Sequence, residues 1–319
     1  MDDLLILTEG GEGIGLGHIT RCSAIAAWVQ KQGRTCRMVI DWHGGGHHPG
    51  NVEEANWMDW EVANASFRAV LVDSYKAQAA VYRKIKSFAE RLVVMDDYHR
   101  LPEYGADLIV NPNSYGDSLT YAEKSASGSQ YVILRQAFRE CTERYALREE
   151  VKNIFVTVGG TDIRSMLPAL AAILENTDRE VVFVCGNEAT AQAMNDRFGG
   201  NPRFSFYGFA GPDLMCRLML DSDVAISACG QTLHELAYLG VPAIGIRIGD
   251  DQLLNQQAYI NTGFLSMAID WDSGELESLL QHELNGLNSM EARAAKSKIG
   301  MNIIDGKGVE RIAQLIFHG

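Results

Sequence analysis

Short apolar runs recur along the sequence with helical stretches between them, and the pattern ends near residue 111 only to restart at residue 153. The first series is Leu4–Thr8, Cys36–Asp41, Ala69–Asp73, Leu92–Asp96 and Leu108–Asn111; the second is Asn153–Val158, Glu180–Cys185, Arg203–Phe206, Val224–Ser227 and Ala243–Ile246. Strands that alternate with helices pair in parallel, because the chain must cross back over the sheet before laying down the next strand, and the crossovers cover both faces. Two such series predict an α/β protein of two doubly wound, Rossmann-like domains facing a cleft. The length of 319 residues agrees, since a single core rarely grows past about 250–300 residues. The charged stretch from Cys141 to Lys152 reads as the linker, which gives an N-terminal domain over 1–145 and a C-terminal domain over 150–319. The last helix, from about Val309 to Phe317, is a candidate to cross back to the first domain.

Composition narrows the function. A hydrophobic fraction of 46% with 22% charged residues belongs to a soluble globular chain. The formal charge of −13 opposes long-range approach to a phosphate backbone, so no nucleic-acid partner is expected. No apolar run approaches the roughly 18 residues of a membrane span, and Met1 leads into the apolar Leu4–Leu7 without a basic segment, which predicts a cytoplasmic protein. The six cysteines (Cys22, Cys36, Cys141, Cys185, Cys216, Cys229) form no Cys-x-x-Cys pair and fit reduced thiols. His43, His47 and His48 enclose consecutive glycines that would hold ligands loosely, so a surface loop is preferred to a metal site and no cofactor is expected.

Ligands of open parallel sheets bind at the carboxyl ends of the strands, and polar signals gather there. Gly13-Ile14-Gly15-Leu16-Gly17-His18 leads into an apparent helix, Ile19 to Gln30. Such glycines let backbone N–H groups approach an anion at a helix N-terminus, or simply make a tight turn. His18 at the helix start is a candidate general base or positioning donor. Asp41 ends the second strand as a dinucleotide-binding acid would, but Glu9, Glu12, His18 and Arg21 are foreign to that fingerprint, which disfavours a nicotinamide enzyme. Asp73-Ser74-Tyr75 and Asp96-Asp97-Tyr98 close two further strands. In the second half, Gly159-Gly160-Thr161-Asp162 suits phosphate oxygens or a capped turn. Ser227-Ala228-Cys229-Gly230-Gln231-Thr232 opens the helix carrying His234 and Glu235. Its small residues suit phosphate, and Glu235 reads either as a ribose ligand or as a solvated carboxylate.

Together these motifs resemble the GT-B-type nucleotide-sugar enzymes, and within them the UDP-sugar hydrolase family of pseudaminic acid biosynthesis, which acts on UDP-2,4-diacetamido-2,4,6-trideoxy-β-L-altropyranose. The resemblance runs through most of the chain. Gly15-Leu16-Gly17-His18-Ile19-Thr20-Arg21 matches the family's Gly-x-Gly-His-x-x-Arg, Asp73-Ser74-Tyr75 its Asp-x-Tyr, Asp96-Asp97 its acidic pair, and Asn111-Pro112-Asn113 its strand-end asparagines. The glycine turn at Gly159 and the segment Ser227 to Glu235 match its second-domain motifs. The resemblance implies His18, Tyr75 and Asp97 as the catalytic group, with Gly15, Gly17, Arg21, Asp73 and Asn113 on the sugar. It implies Gly159, Gly160, Thr161, Ser227, Gly230, Gln231, Thr232 and Glu235 on UDP. Thr8-Glu9 stands where the family often has arginine and aspartate, and Arg135-Gln136-Ala137-Phe138 where Arg-x-Glu-Phe is usual, departures that bear on which sugar is read. The expected reaction is metal-independent removal of UDP from an acetamido sugar by water attack at the anomeric carbon, in nonulosonic acid or surface polysaccharide biosynthesis. A GT-B glycosyltransferase and a non-catalytic nucleotide-sugar-binding protein are the rivals, and a monomer or weak homo-oligomer is expected.

Overall fold

The structure is a computed structural model that describes residues 2–12, 14–44, 52–60, 66–160, 162 and 164–318. They form two α/β units, Met1–Arg135 together with Gly306–Gly319, and Gln136–Asp305. In the first unit, strands β1 (Leu4–Gly11), β2 (Cys36–His43), β3 (Glu53–Glu54), β4 (Phe67–Asp73), β5 (Ala89–Met95), β6 (Leu108–Asn111) and β7 (Ser125–Ser127) make one sheet of order β3-β2-β1-β4-β5-β6-β7. Every neighbouring pair is parallel. Helices α1 (Gly17–Lys31) and α2 (Ala79–Lys86) are among the crossovers. Successive side chains of a strand point to opposite faces, and β1 shows what that does here. Leu4 and Ile6 join a core with Ile19, Ile25 and Val29 of α1, while Leu5 and Leu7 join another with Tyr82 and Ile85 of α2. Each buried aliphatic side chain contributes about 1.5–3 kcal/mol, and a one-residue slip would exchange the two faces, so the register is strongly specified.

The second unit opens with α3 (Gln136–Glu140) and continues as β8 (Asn153–Thr157), α4 (Met166–Leu174), β9 (Glu180–Val184), α5 (Glu188–Phe198), β10 (Phe204–Tyr207), α6 (Pro212–Leu220), β11 (Val224–Ala228), α7 (Gln231–Leu239), β12 (Ala243–Arg247), α8 (Leu253–Thr262), β13 (Ile269–Asp270), α9 (Leu276–Gly286) and α10 (Met290–Ile303). Its parallel sheet has the order β10-β9-β8-β11-β12-β13. The chain then returns to the first unit as α11 (Gly308–His318), which buries Val309, Ile312, Ala313 and Ile316 in the core shared with α1. Phe317 near its end lies 4.2 Å below the Arg34 guanidinium.

The units part at Arg135 rather than within the charged 141–152 stretch, which differs from the expected limits of 1–145 and 150–319. The physical reason is that the backbone of this stretch, together with the Arg148 side chain, has buried partners. Asp223, fully buried, accepts from Lys152 N, Asn153 N and Arg148 Nη1, each at 2.8 Å. Arg293 of α10 donates to Arg148 O and Glu149 O at 2.9 Å and to Tyr145 Oη at 3.2 Å. Among the described residues no helix is long and apolar enough to cross a membrane.

Candidate active site

β1 continues through Gly11 because that residue adopts φ 113°, and a Cβ there would lie 1.9 Å from His43 O on β2. The loop then closes on itself, with Gly15 N donating to Gly11 O at 2.8 Å, and α1 starts with Leu16 as its N-cap and no side-chain cap. His18, Arg21 and Cys22 stand three and four residues apart and so share one helix face. That face meets Asp73 at the end of β4, the strand beside β1 at the point where strand order reverses. Asp73 is fully buried. Its Oδ1 lies 2.7 Å from His18 Nδ1 and accepts from Arg21 Nη2 at 2.6 Å; its Oδ2 accepts from Arg21 Nε at 2.6 Å and from Cys22 Sγ at 3.4 Å.

These contacts set the protonation of the cluster. Burial opposes a charge on Asp73, but the Arg21 guanidinium and His18 outweigh it and hold the carboxyl well below the usual carboxylate range. Burial likewise works against the Arg21 cation, and Asp73 and Asp97 more than offset it. A carboxylate facing Nδ1 places the imidazole proton on that nitrogen. Arg21 Nη2 also lies 3.1 Å from Nδ1, but a nitrogen that donates to Asp73 cannot accept from Arg21, and the shorter, charged contact decides. The neutral ring therefore keeps its lone pair on Nε2.

Asp97 extends the cluster. It is 3% exposed and accepts Arg21 Nη1 on both oxygens at 2.9 Å, Tyr75 Oη at 2.6 Å and Asn113 Nδ2 at 2.6 Å. The Tyr75 ring stands edge-on to His18 with centroids 4.3 Å apart. Burial, then Asp97, raises its phenol far above the usual range, so the hydroxyl stays a donor. Glu9, completely buried in β1, accepts Ser74 Oγ at 2.6 Å and Tyr75 N at 2.8 Å, which fixes the loop that presents Tyr75. Asp96 serves the neighbouring turn by accepting His99 N at 2.5 Å and Tyr121 Oη at 2.8 Å.

In the second unit the strand ends on either side of the order reversal, after β8 and after β11, carry the glycines. Gly159 adopts φ 98°, and a Cβ on Gly159 or Gly160 would meet nothing within 4 Å, so there is open space on the side of the turn where their side chains would stand. Asp162 caps α4 by accepting Met166 N at 2.7 Å and Leu167 N at 2.9 Å. Its carboxylate thus takes the position an anion would occupy. α7 has no such plug: Gly230 is the N-cap, no side chain caps it, and its first turn holds no acid. A helix N-terminus without a side-chain cap attracts phosphate.

The structure thus brings His18, Arg21, Asp73, Tyr75, Asp97 and Asn113 into one hydrogen-bonded group. Asp73, expected among the sugar ligands, is buried beneath His18 and is placed to orient the imidazole. Gly15 adopts φ 83°, and neither it nor Gly17 is crowded. Ser227 lies within β11, 1% exposed, and donates to Ala228 O. Gln231 and Thr232 begin α7, and Glu235 is fully buried, unlike a solvated carboxylate. Thr161 lies outside the described residues, as do His47 and His48. His43 Nε2 is 3.0 Å from both Asp41 Oδ2 and Lys76 Nζ, and no group of three or more His, Cys, Asp or Glu among the described residues is arranged to hold a metal. Sequence reasoning missed Cys22 and the inward role of Glu9. The three- and four-residue spacing from His18 was a signal for the first; no local pattern marks the second.

Residues 153–316, about half of the chain, match the glycosyltransferase family 28 C-terminal domain. The spore coat polysaccharide biosynthesis protein SpsG of Bacillus subtilis (strain 168) is 25% identical, over 98% of this chain and 96% of its own. A Helicobacter pylori (strain ATCC 700392 / 26695) protein named pseudaminic acid cytidylyltransferase and UDP-2,4-diacetamido-2,4,6-trideoxy-beta-L-altropyranose hydrolase is 23% identical over 78% of this chain, which spans 45% of that longer protein. The crystal structure of Acinetobacter baumannii MurG is similar with a TM-score of 0.69 at 13% identity, covering 98% of this chain and 99% of that one. The architecture is that of the GT-B glycosyltransferases.

Proposed function

Because the chain belongs to the family of the glycosyltransferase family 28 C-terminal domain, we propose that it binds a UDP-activated acetamido sugar and releases UDP by attack of water on the anomeric carbon. The observation that carries this reading is the His18–Asp73 contact of 2.7 Å, which leaves Nε2 free to act as a base. UDP is held by the second unit, with its diphosphate on the uncapped start of α7 and the backbone of Gly159 and Gly160; Glu235, fully buried, lies beneath this surface and not on the ribose. Nε2 of His18 takes a proton from water as the water oxygen bonds to the anomeric carbon. The bond from that carbon to the diphosphate oxygen breaks, and its electron pair leaves with UDP. The imidazolium formed is stabilised by Asp73, and a positioned base of this kind contributes about 10²–10⁴ in rate. Tyr75 and Asn113, both anchored on Asp97, orient the water or the sugar. The likeness to the Helicobacter pylori protein supports an acetamido sugar and water as acceptor, and that to SpsG supports a place in surface polysaccharide synthesis.

The family match favours one further reading, a glycosyltransferase in which a hydroxyl group replaces water. Incubation with a panel of UDP-sugars, without acceptor, separates the two. Hydrolysis gives UDP and free sugar in equal amounts with no addition. UDP release that begins only when an acceptor is supplied means transfer, and silence under both conditions removes catalysis from the assignment.

A further inference from the structure

The tyrosines buried in the first unit differ in what their hydroxyls meet. Tyr82 Oη accepts from Arg100 Nη2 at 2.9 Å, Tyr104 Oη donates to Asp96, and Tyr121 Oη donates to Asp96 and accepts from Asn111 Nδ2 at 3.0 Å. Tyr115 is 7% exposed, yet among the described residues its hydroxyl has no hydrogen-bond partner; only its backbone carbonyl is engaged, by Ser118 Oγ at 2.7 Å. A buried phenol normally finds a partner, because an unmet hydroxyl loses its hydration without compensation.

The backbone that places this phenol has little freedom. Gly116 N donates to Asn113 O at 3.0 Å, closing a turn directly after Asn113. A Cβ on Gly116 would lie 2.7 Å from Gly128 N and 2.9 Å from Asn111 O, so only glycine lets the turn press against the end of β6. Tyr115 is thereby held within electrostatic reach of Asp97, Tyr98 and Arg21, in the group that carries His18. Burial first, and Asp97 next, keep its phenol protonated far above the usual range, so it offers an O–H donor. Beside it, Tyr75 and Tyr98 are about 40% exposed with ring centroids 5.5 Å apart, and Leu16 is 49% exposed, surfaces suited to the apolar face of a sugar ring.

We propose that Tyr115 is a further substrate ligand of the first unit, its hydroxyl binding a hydroxyl or acetamido oxygen of the sugar; this rests on the reading of the site as a nucleotide-sugar site. The test compares Tyr115→Phe with Tyr121→Phe in thermal unfolding and in calorimetric titration with UDP and with UDP-N-acetylglucosamine. Tyr115→Phe removes no side-chain bond among the described residues, so its melting temperature stays within about 1 °C, whereas Tyr121→Phe, which loses its bonds to Asp96 and Asn111, melts lower. Tyr115→Phe weakens UDP-N-acetylglucosamine by about three- to tenfold, the effect of one neutral hydrogen bond, and leaves UDP unchanged. Equal affinity of both proteins for the nucleotide sugar, an equal loss for UDP, or a wild-type protein that binds the nucleotide sugar no more tightly than UDP would each overturn the proposal. The titration needs no turnover, so a protein silent in the hydrolysis assay but sensitive at Tyr115 keeps this inference while losing the hydrolytic one.

Discussion

A histidine reveals its chemistry through what holds its other nitrogen, and at His18 that partner is a carboxylate with no solvent exposure and a strong reason to stay ionised. His18→Asn is therefore expected to lower kcat at least about 100-fold, while UDP affinity by calorimetry stays within a few-fold, because the nucleotide ligands proposed above belong to the other unit. Collapse of UDP binding would make His18 a ligand instead. Asp73→Asn tests the orienting role by leaving the shape and removing the charge that selects the tautomer. The expected result is a fall in kcat of about 10²–10⁴ with KM within about threefold; a raised KM with kcat preserved would place Asp73 on the substrate. A lower melting temperature accompanies it, since Arg21 loses part of its buried counter-charge. The cluster was legible in part. His18, Asp73, Tyr75, Asp97 and Asn113 are polar residues just past apolar runs, and in a parallel sheet such positions converge. Glu9 was not, because its partners Ser74 and Tyr75 are more than sixty residues away in sequence and only the pairing of β1 with β4 brings them near.

Among the elements, the two helices that begin at strand ends in the second unit divide their work by their caps: α4 is closed by Asp162, and α7 is left open at Gly230. Further along α7, His234 is buried with Nδ1 at 2.7 Å from Tyr259 Oη, and burial pushes its pKa from the ordinary 6.5 down to about 4. Neither folded nor unfolded chain protonates this ring above about pH 6.5, so it has no effect on stability there. Below that pH the unfolded chain takes up the proton and the folded one does not, so stability falls by about 1.4 kcal/mol per pH unit until about pH 4, roughly 3 kcal/mol in all. Urea unfolding from pH 7.5 to 4.5 should show this slope in the wild type and a shallower one in His234→Gln; identical slopes would contradict a ring kept neutral. The apolar runs located the long strands closely. They missed β3, β7 and β13, edge strands of two or three residues too short to carry a pattern. They also ended β1 early, since Gly10 and Gly11 read as a loop although β2 pairs with β1 as far as His43. The 141–152 stretch read as a linker because its charges looked solvated, whereas Asp223 and Arg293 bind it.

At the scale of the molecule, the same strand order recurs in both units, and in each the order reverses beside the first strand, where doubly wound sheets open a crevice at their carboxyl ends. One crevice is lined by carboxylates, Arg21 and a histidine, the other by glycine backbone and an uncapped helix. This division bears on which bond breaks. A base acting on water for attack at phosphorus belongs beside the phosphates, where charge gathers on the phosphoryl oxygens. His18 instead belongs to the first unit, whereas the α7 start and the Gly159–Gly160 backbone proposed for the diphosphate belong to the second. Attack at the anomeric carbon then needs only a base near the sugar and N–H groups to receive the leaving diphosphate. Turnover of the UDP-sugar identified by the panel is accordingly expected to persist in excess EDTA. In oxygen-18 water the heavy oxygen should appear in the released sugar and not in UDP, read by mass spectrometry of both products. Label in the UDP phosphate, or activity lost on chelation and restored by magnesium, would overturn attack at carbon even if the UDP-sugar assignment held.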